Sequence, residues 1–248
     1  MMREYFNRLY CDSADSFYQS LYCSLRGGER RFIVTANPET FMVAQKNPDL
    51  DNLLCKETTT VVPDGIGIVK AAHYLSVPVK DKITGVDIAA NLLKDADQLH
   101  KSVYFYGAKE EVLQQLLKTI SVKYPGLVVA GFHNGYNGYD DAVFEDIVGK
   151  RPDIVMVALG IPRQELLIDR YFNRFSSGIF IGVGGSFDVL SGSKKRAPQF
   201  FVKRNMEWLY RIVREPKRLG RFYTSNIRFL FAVRKIKRQE GKAHSSSV

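Results

Sequence analysis

Six short runs of continuous apolar residues punctuate the chain: RRFIVTANP, TTTVVPDG, KSVYFYGA, LVVAGFHNGY, PDIVMVALG and GIFIGVGG. Stretches with helical spacing stand between them, among them ETFMVAQKNPDLDNLLC, IGIVKAAHYL, GVDIAANLLKDADQLH, KEEVLQQLLKTISVKY, YDDAVFEDIVGK and PRQELLIDRYFNRF. A strand that is apolar along its whole length must be covered on both faces. Strands joined by helices of this length close right-handed crossovers and build a parallel sheet. The predicted fold is α/β, a mostly parallel Rossmann-like sheet with helices on both faces. Pro48 predicts an interruption in the first helical stretch.

Charge divides the chain differently. The net charge is +10 over 248 residues. From Lys194 to Val248 there are 16 Lys and Arg against 3 Asp and Glu, whereas residues 1–193 carry 20 against 23. The pattern beyond Ser193 is helical, basic and aromatic. We therefore divide the chain into an α/β body, 1–193, and a basic amphipathic appendage, 194–248, with the final GKAHSSSV expected to be disordered. Such asymmetry implies an anionic partner: phosphate groups, nucleic acid or an anionic membrane face. The three cysteines, Cys11, Cys23 and Cys55, are sparse and odd in number, which predicts a reducing cytoplasm and no disulfide framework. The N-terminal MMREYFNRLYCDSADS does not read as a signal peptide. The apolar runs fall short of the about 18–20 residues that a membrane helix needs.

In a parallel sheet, ligands bind at the carboxyl ends of the strands. Those ends read TANPE, PDG, YGAKE, GFHNGY, ALGIPRQE and GVGGSFD, so polar and small residues collect on one edge. Asp64, between Pro63 and Gly65, reads equally as the N-cap of the next helix or as a general base. An ordinary Asp, with a pKa near about 3.9, is a weak base at neutral pH. It serves when it is desolvated or closely apposed to the reacting hydroxyl, with proton transfer late on the path. The glycines of GIG and GVGG let a ligand approach the backbone. Neither completes the dinucleotide fingerprint, since Lys70 stands where the third glycine of the first would fall, and a P-loop is absent. The Asp95–Asp97 triplet DAD resembles the metal-binding triplet of many sugar-nucleotide transferases, but it falls mid-helix among polar residues and reads as a solvated face. No metal site and no cofactor are predicted.

In the appendage, Arg211, Arg214, Arg218 and Arg221 have offsets of 0, 3, 7 and 10, an arc of roughly 80° on one helix, with Pro216 interrupting the pattern. That face could grip a diphosphate through forked hydrogen bonds, or lie against solvent or lipid headgroups. Further on, Phe222, Tyr223, Ile227, Phe229, Leu230, Phe231, Val233 and Ile236 interleave with Arg228, Arg234, Lys235, Lys237 and Arg238. The stretch suits an anionic leaflet surface, with packing on the body or on a second subunit as the alternative. The recognised nucleic-acid motifs are missing.

TANPE, VVPDGIGIV, ITGVDI, YGAKEEV, YPGLVVAGFHNGY, PDIVMVALGIPRQE, GVGGSFDVLSGSKKRAP and EWLYRIVREPKRLGR run in order from about Ile33 to Arg221. Together they resemble the WecG/TagA/CpsF family, glycosyltransferase family 26. The resemblance implies a bacterial, metal-independent, inverting transferase without cofactor. Such an enzyme passes a sugar from a UDP-sugar to an undecaprenyl-diphosphate-linked acceptor at the cytoplasmic face of the plasma membrane. The best-known branch adds N-acetylmannosamine to lipid-linked N-acetylglucosamine at the start of wall teichoic acid linkage; other branches use glucose or N-acetylmannosaminuronic acid. By resemblance, Asp64 is the catalytic base. Thr35, Asn37 and Gln164 line the substrate pocket, and Arg211, Arg218 and Arg221 engage the diphosphate. The nucleotide is expected at Gly184, Gly185 and Asp188. Lys82 stands where members commonly have arginine, with Ile83 between it and the TG-D motif; lysine keeps the charge and loses the fork.

The implied partners are a UDP-sugar donor, the lipid-linked acceptor and an anionic membrane surface, with no nucleic acid; the aromatic appendage could also support a homo-oligomer. Two rivals use the same features: a nicotinamide-dependent oxidoreductase, against which the incomplete glycine fingerprint counts, and a non-catalytic membrane or nucleic-acid adaptor.

Overall fold

A computed structural model describes residues 2–136, 138–204, 206–214 and 219–245, without the side chains of residues 199, 203, 211–214, 219, 221–223 and 243–245. The described strands are β1 (Arg30–Ala36), β2 (Thr59–Pro63), β3 (Ser102–Gly107), β4 (Val128–His133), β5 (Ile154–Ala158) and β6 (Gly178–Gly182). They form one sheet in the order β2-β1-β6-β5-β3-β4, and every pairing is parallel. The predicted α/β architecture is the one observed.

The connecting helices are α1 (Met2–Asn7), α2 (Ala14–Gly27), α3 (Pro38–Ala44), α4 (Pro48–Cys55), α5 (Ile66–Tyr74), α6 (Gly85–Gln98), α7 (Glu110–Lys123), α8 (Asp140–Lys150) and α9 (Arg163–Phe172). After β6 come α10 (Ser186–Leu190), α11 (Gln199–Lys203), α12 (Glu207–Arg214) and α13 (Leu219–Ser245). The break expected near Pro48 falls between α3 and α4. Asn47 caps α4 by accepting from the Leu50 N–H, and Pro48 takes the first helical position, where its missing N–H costs nothing.

The strands divide their side chains between two cores with the two-residue period of a pleated sheet. Phe32 and Val34 of β1, Tyr104 and Tyr106 of β3, Val155 and Val157 of β5, and Phe180 of β6 enter one core. Ile33, Val103, Phe105, Ile154, Met156, Ile179 and Ile181 enter the other. Burying each such side chain contributes about 1.5–3 kcal/mol. The apolar runs are continuous because neither face meets water. β4 is the exception. It lies on an edge of the sheet, and Val128 and Phe132 remain 51% and 45% exposed.

The appendage is not a free arm. α13 packs on α3 and α5, and Phe229 and Val233 are buried in the first core. The Phe229 ring lies 6.1 Å from Phe6 and 6.3 Å from Phe41, centroid to centroid. Arg3 of α1 pairs with Glu240 at 2.8 Å. Leu230 and Phe231 face outward. The helix also runs to Ser245, through most of the stretch that composition marks as disordered. Among the described residues, no helix is long and apolar enough to cross a membrane.

Phe229 is 1% exposed, so its truncation leaves a cavity between two rings. Phe229→Ala is expected to lower the unfolding free energy by about 3 kcal/mol, read from urea denaturation. Leu230→Ala, on the outer face, should change it by less than about 1 kcal/mol.

Candidate active site

The site is built on the carboxyl edge of the sheet, and its clearest anchor is the end of β2. The backbone N–H of Asp64 donates to the Ala36 carbonyl at 2.8 Å, carrying the β1–β2 ladder one residue past the strand. Gly65 then turns the chain at φ +97°, a region that strains any residue with a side chain. Gly65 is itself the N-cap of α5 and, as a glycine, makes no side-chain cap hydrogen bond. Asp64 therefore precedes the cap residue of α5 by one position. Asp64 is half-buried.

Neighbouring elements converge on this point. The Ile83 N–H donates to the Pro63 carbonyl at 2.9 Å, so the loop carrying Lys82 is tied to the end of β2, one residue before Asp64. Thr84 caps α6, and its hydroxyl donates to Asp87 Oδ2 at 2.5 Å. Arg196 reaches Asp87 Oδ1 at 2.7 Å. From α2, Tyr18 enters the same electrostatic neighbourhood. Its hydroxyl pKa is pushed up first by burial and then by the charges of Asp87 and Asp64, with Arg196 opposing. Thr35, at the end of β1, is buried. A Cβ on Gly85 would stand 3.5 Å from Thr35 Cγ2 and 3.9 Å from Ser186 Oγ, in ordinary van der Waals contact, so β1, α6 and α10 meet at this point. Asn37 caps α3, its Oδ1 accepting from Thr40 N at 3.0 Å; its Nδ2 takes no part in that cap.

The other half of the edge follows β5 and β6. Gly184 adopts φ +48° with open space where a Cβ would be. Gly185 caps α10, and Asp188 in that helix pairs with Lys194 at 3.2 Å. Gln164 is buried, and its Oε1 accepts from the N–H groups of Gly160 and Gly184 at 3.0 and 3.2 Å. Its Nε2 donates to Glu165 Oε1 at 2.7 Å. A cavity of about 540 Å³ opens between α8 and α9, lined by residues including Tyr139, Asp140, Asp141, Arg163 and Arg170. Its arginines are paired with its aspartates, and none of the sequence-predicted site residues lines it.

The backbones of Arg211 and Arg221 lie in α12 and α13, their side chains outside the described ones; Arg218 lies outside the described residues. Asp97 belongs to the far end of α6, where its Oδ1 accepts from Gly126 N at 2.7 Å. Among the described residues no three His, Cys, Asp or Glu side chains gather as a metal site.

Sequence reasoning missed Tyr18, Asp87, Arg196 and Glu165. Asp87 stood inside ITGVDI without an assigned role, and nothing in the spacing linked it to Tyr18 or Arg196. Glu165 did leave a signal: it falls three and seven residues before the buried Ile168 and Phe172, on the inward face of α9. Burial raises its pKa from 4.5 to about 7, against the opposing hydrogen bond from Gln164. A raised acid favours the protonated folded state. The stability it contributes is complete below pH 4.5 and lost as pH rises through about 7. Thermal melting between pH 5 and pH 8 should show this, with Glu165→Gln flattening the decline. Parallel slopes for parent and variant would refute it.

Known proteins provide the comparison. A model of the family described as "Glycosyl transferase WecG/TagA/CpsF family" matches residues 7–243. A protein of Bacillus spizizenii is 39% identical over 86% of this chain and 82% of its own length. One of Staphylococcus aureus strain MW2 is 37% identical over 86% and 83%, and one of Bacillus subtilis strain 168 is 38% identical over 76% and 73%. All three carry the name N-acetylglucosaminyldiphosphoundecaprenol N-acetyl-beta-D-mannosaminyltransferase. The match runs through nearly the whole fold, and the chain belongs to the WecG/TagA/CpsF family of glycosyl transferases.

Proposed function

We propose that the protein is an inverting, metal-independent transferase that moves N-acetylmannosamine from its UDP-sugar to undecaprenyl-diphosphate-linked N-acetylglucosamine. The observation that carries this reading is the place of Asp64: its backbone N–H is bonded to the Ala36 carbonyl at the sheet's carboxyl edge, one residue before the Gly65 cap of α5. The relatives' names supply the acceptor and the transferred sugar. The same chemistry with glucose or N-acetylmannosaminuronic acid differs only in the pocket around the sugar ring, where a small change in contacts exchanges one hexose for another.

In the proposed reaction the acceptor's 4-hydroxyl oxygen attacks the donor's anomeric carbon in line. The carbon–oxygen bond to UDP breaks as the new glycosidic bond forms, which inverts the anomeric centre. The hydroxyl proton passes to the Asp64 carboxylate, and UDP departs with the bonding electron pair. Asp64 acts late, when the attacking oxygen has become acidic, so an ordinary carboxylate suffices. Thr35, Asn37 and Lys82 surround the acceptor and donor sugars, and Gly184 and Gly185 allow the nucleotide close to the backbone. Arg211, Arg218 and Arg221 neutralise the leaving diphosphate, the work that a divalent cation does in other transferases.

A lipid-borne acceptor fits an enzyme that works at the inner face of the plasma membrane, the location proposed for it. The outer face of α13, with Leu230 and Phe231 among Arg234, Lys235 and Arg238, is the proposed contact with an anionic leaflet. Removing the appendage would be a poor test of this, because α13 also covers Phe6 and Phe41.

A UDP-release screen across UDP-sugars, with a short-chain diphosphate-linked N-acetylglucosamine acceptor, tests the donor assignment; release with a different sugar alone would replace it. Asp64→Asn should lower kcat by at least about 100-fold while UDP binding and melting temperature hold; near-parent turnover would remove the base assignment. The double variant Leu230→Ser, Phe231→Ser should weaken sedimentation with anionic liposomes by roughly tenfold and leave transfer to a soluble acceptor intact. Undiminished sedimentation would move the membrane contact elsewhere.

A further inference from the structure

The pair Gln164–Glu165 does something that a pocket-lining glutamine does not. Both lone-pair directions of Gln164 Oε1 are taken, by the N–H groups of Gly160 and Gly184. These belong to different loops, one following β5 and one following β6. Gly160 and Gly184 sit at φ +82° and +48°, where glycine is favoured, and each turns its N–H onto the same oxygen. The backbone N–H of Gln164 also donates to the Gly160 carbonyl at 3.1 Å.

The side chain lies flat across the last residue of β6. A Cβ on Gly182 would fall 2.5 Å from Gln164 Nε2, 2.8 Å from Cδ and 3.0 Å from Cγ. Glycine at 182 is therefore the seat that admits Gln164, and no turn requires it there.

An amide has two ends of similar shape and opposite hydrogen-bonding character. Rotated by half a turn, Gln164 would aim its NH₂ group at two N–H donors, and both loops would lose their acceptor. Glu165 prevents that rotation. Its Oε1 accepts from Nε2 at 2.7 Å, and in its ionised form the carboxylate can only accept, so it then tolerates only the NH₂ end. The cost is visible: Glu165 is 1% exposed, and its Oε2 is buried without a hydrogen-bond partner. A buried, half-satisfied carboxyl is destabilising on its own.

We infer that Gln164 and Glu165 are positioning residues, a brace that holds the loops after β5 and β6 at a fixed separation and so shapes the floor of the nucleotide site, with Gly182 as its seat. The second clause rests on the proposed placement of the nucleotide at Gly184 and Gly185. Neither side chain touches the reacting atoms.

The test compares Glu165→Leu, Glu165→Gln and Gly182→Ala in the full chain. Amide exchange measured by NMR on the ligand-free protein reads the brace directly. Glu165→Leu and Gly182→Ala should speed exchange at Gly160 and Gly184 by at least tenfold and leave Val34 and Val155 protected. Steady-state kinetics read its consequence: KM for the UDP-sugar should rise at least tenfold with kcat within threefold of the parent. Glu165→Gln keeps an acceptor for Nε2 and should restore both. Unchanged exchange at the two glycines in both disruptive variants overturns the brace. Faster exchange with unchanged KM overturns its link to the nucleotide. A fall in kcat at constant KM overturns the positioning role. If the parent binds no UDP, the nucleotide reading fails, whereas the exchange result still decides whether the brace exists.

Discussion

A parallel sheet has no face to spare for water, and that requirement organises the molecule. Each of the inner strands sends alternate side chains into two cores, so the helices must lie on both sides and the crossovers must all run the same way. One consequence is chemical. The carboxyl ends of β1, β2, β5 and β6 finish on one edge, where Val183, Leu159 and Ile161 still pack on the cores but polar and small residues predominate. The residues free to do chemistry collect there because the cores have claimed the rest.

The basic C-terminal segment obeys the same rule. Its composition suits a membrane surface or packing on the body, and α13 inserts Phe229 beside Phe6 and Phe41 and completes the core under α3 and α5. The helix therefore has two apolar contributions of opposite use. Phe229 and Val233 hold it to the body, while Leu230 and Phe231 remain on the outside beside its cations. The exposed pair takes no part in the inner contacts, so the proposed membrane contact and the packing on the body draw on different side chains.

Strand positions were legible in the sequence because doubly buried strands are long apolar runs. β4 was the limit of that signal: LVVAGFHNGY reads like its neighbours, and only the strand order reveals it as an edge. The segment after β6 was legible in charge and not in placement, since a period that fits a membrane surface also fits a core. At the site, spacing alone left Asp64 between cap and base; the structure puts Gly65, one residue later, at the N-cap of α5. Tyr18, Asp87 and Arg196 were beyond reach, because they come from elements distant in sequence and meet only once the sheet has set the helices side by side. Glu165 could have been found: an acid on the apolar face of α9 is a contradiction that calls for a partner. Arg218 and the side chains of Arg211 and Arg221 stand outside what the structure describes.

The hydrogen bond from Asp64 N to the Ala36 carbonyl has a dynamic meaning. It continues the β1–β2 ladder past the end of the strand, so the main chain at Asp64 moves only with the sheet, and what freedom the carboxylate has lies in its own side-chain torsions.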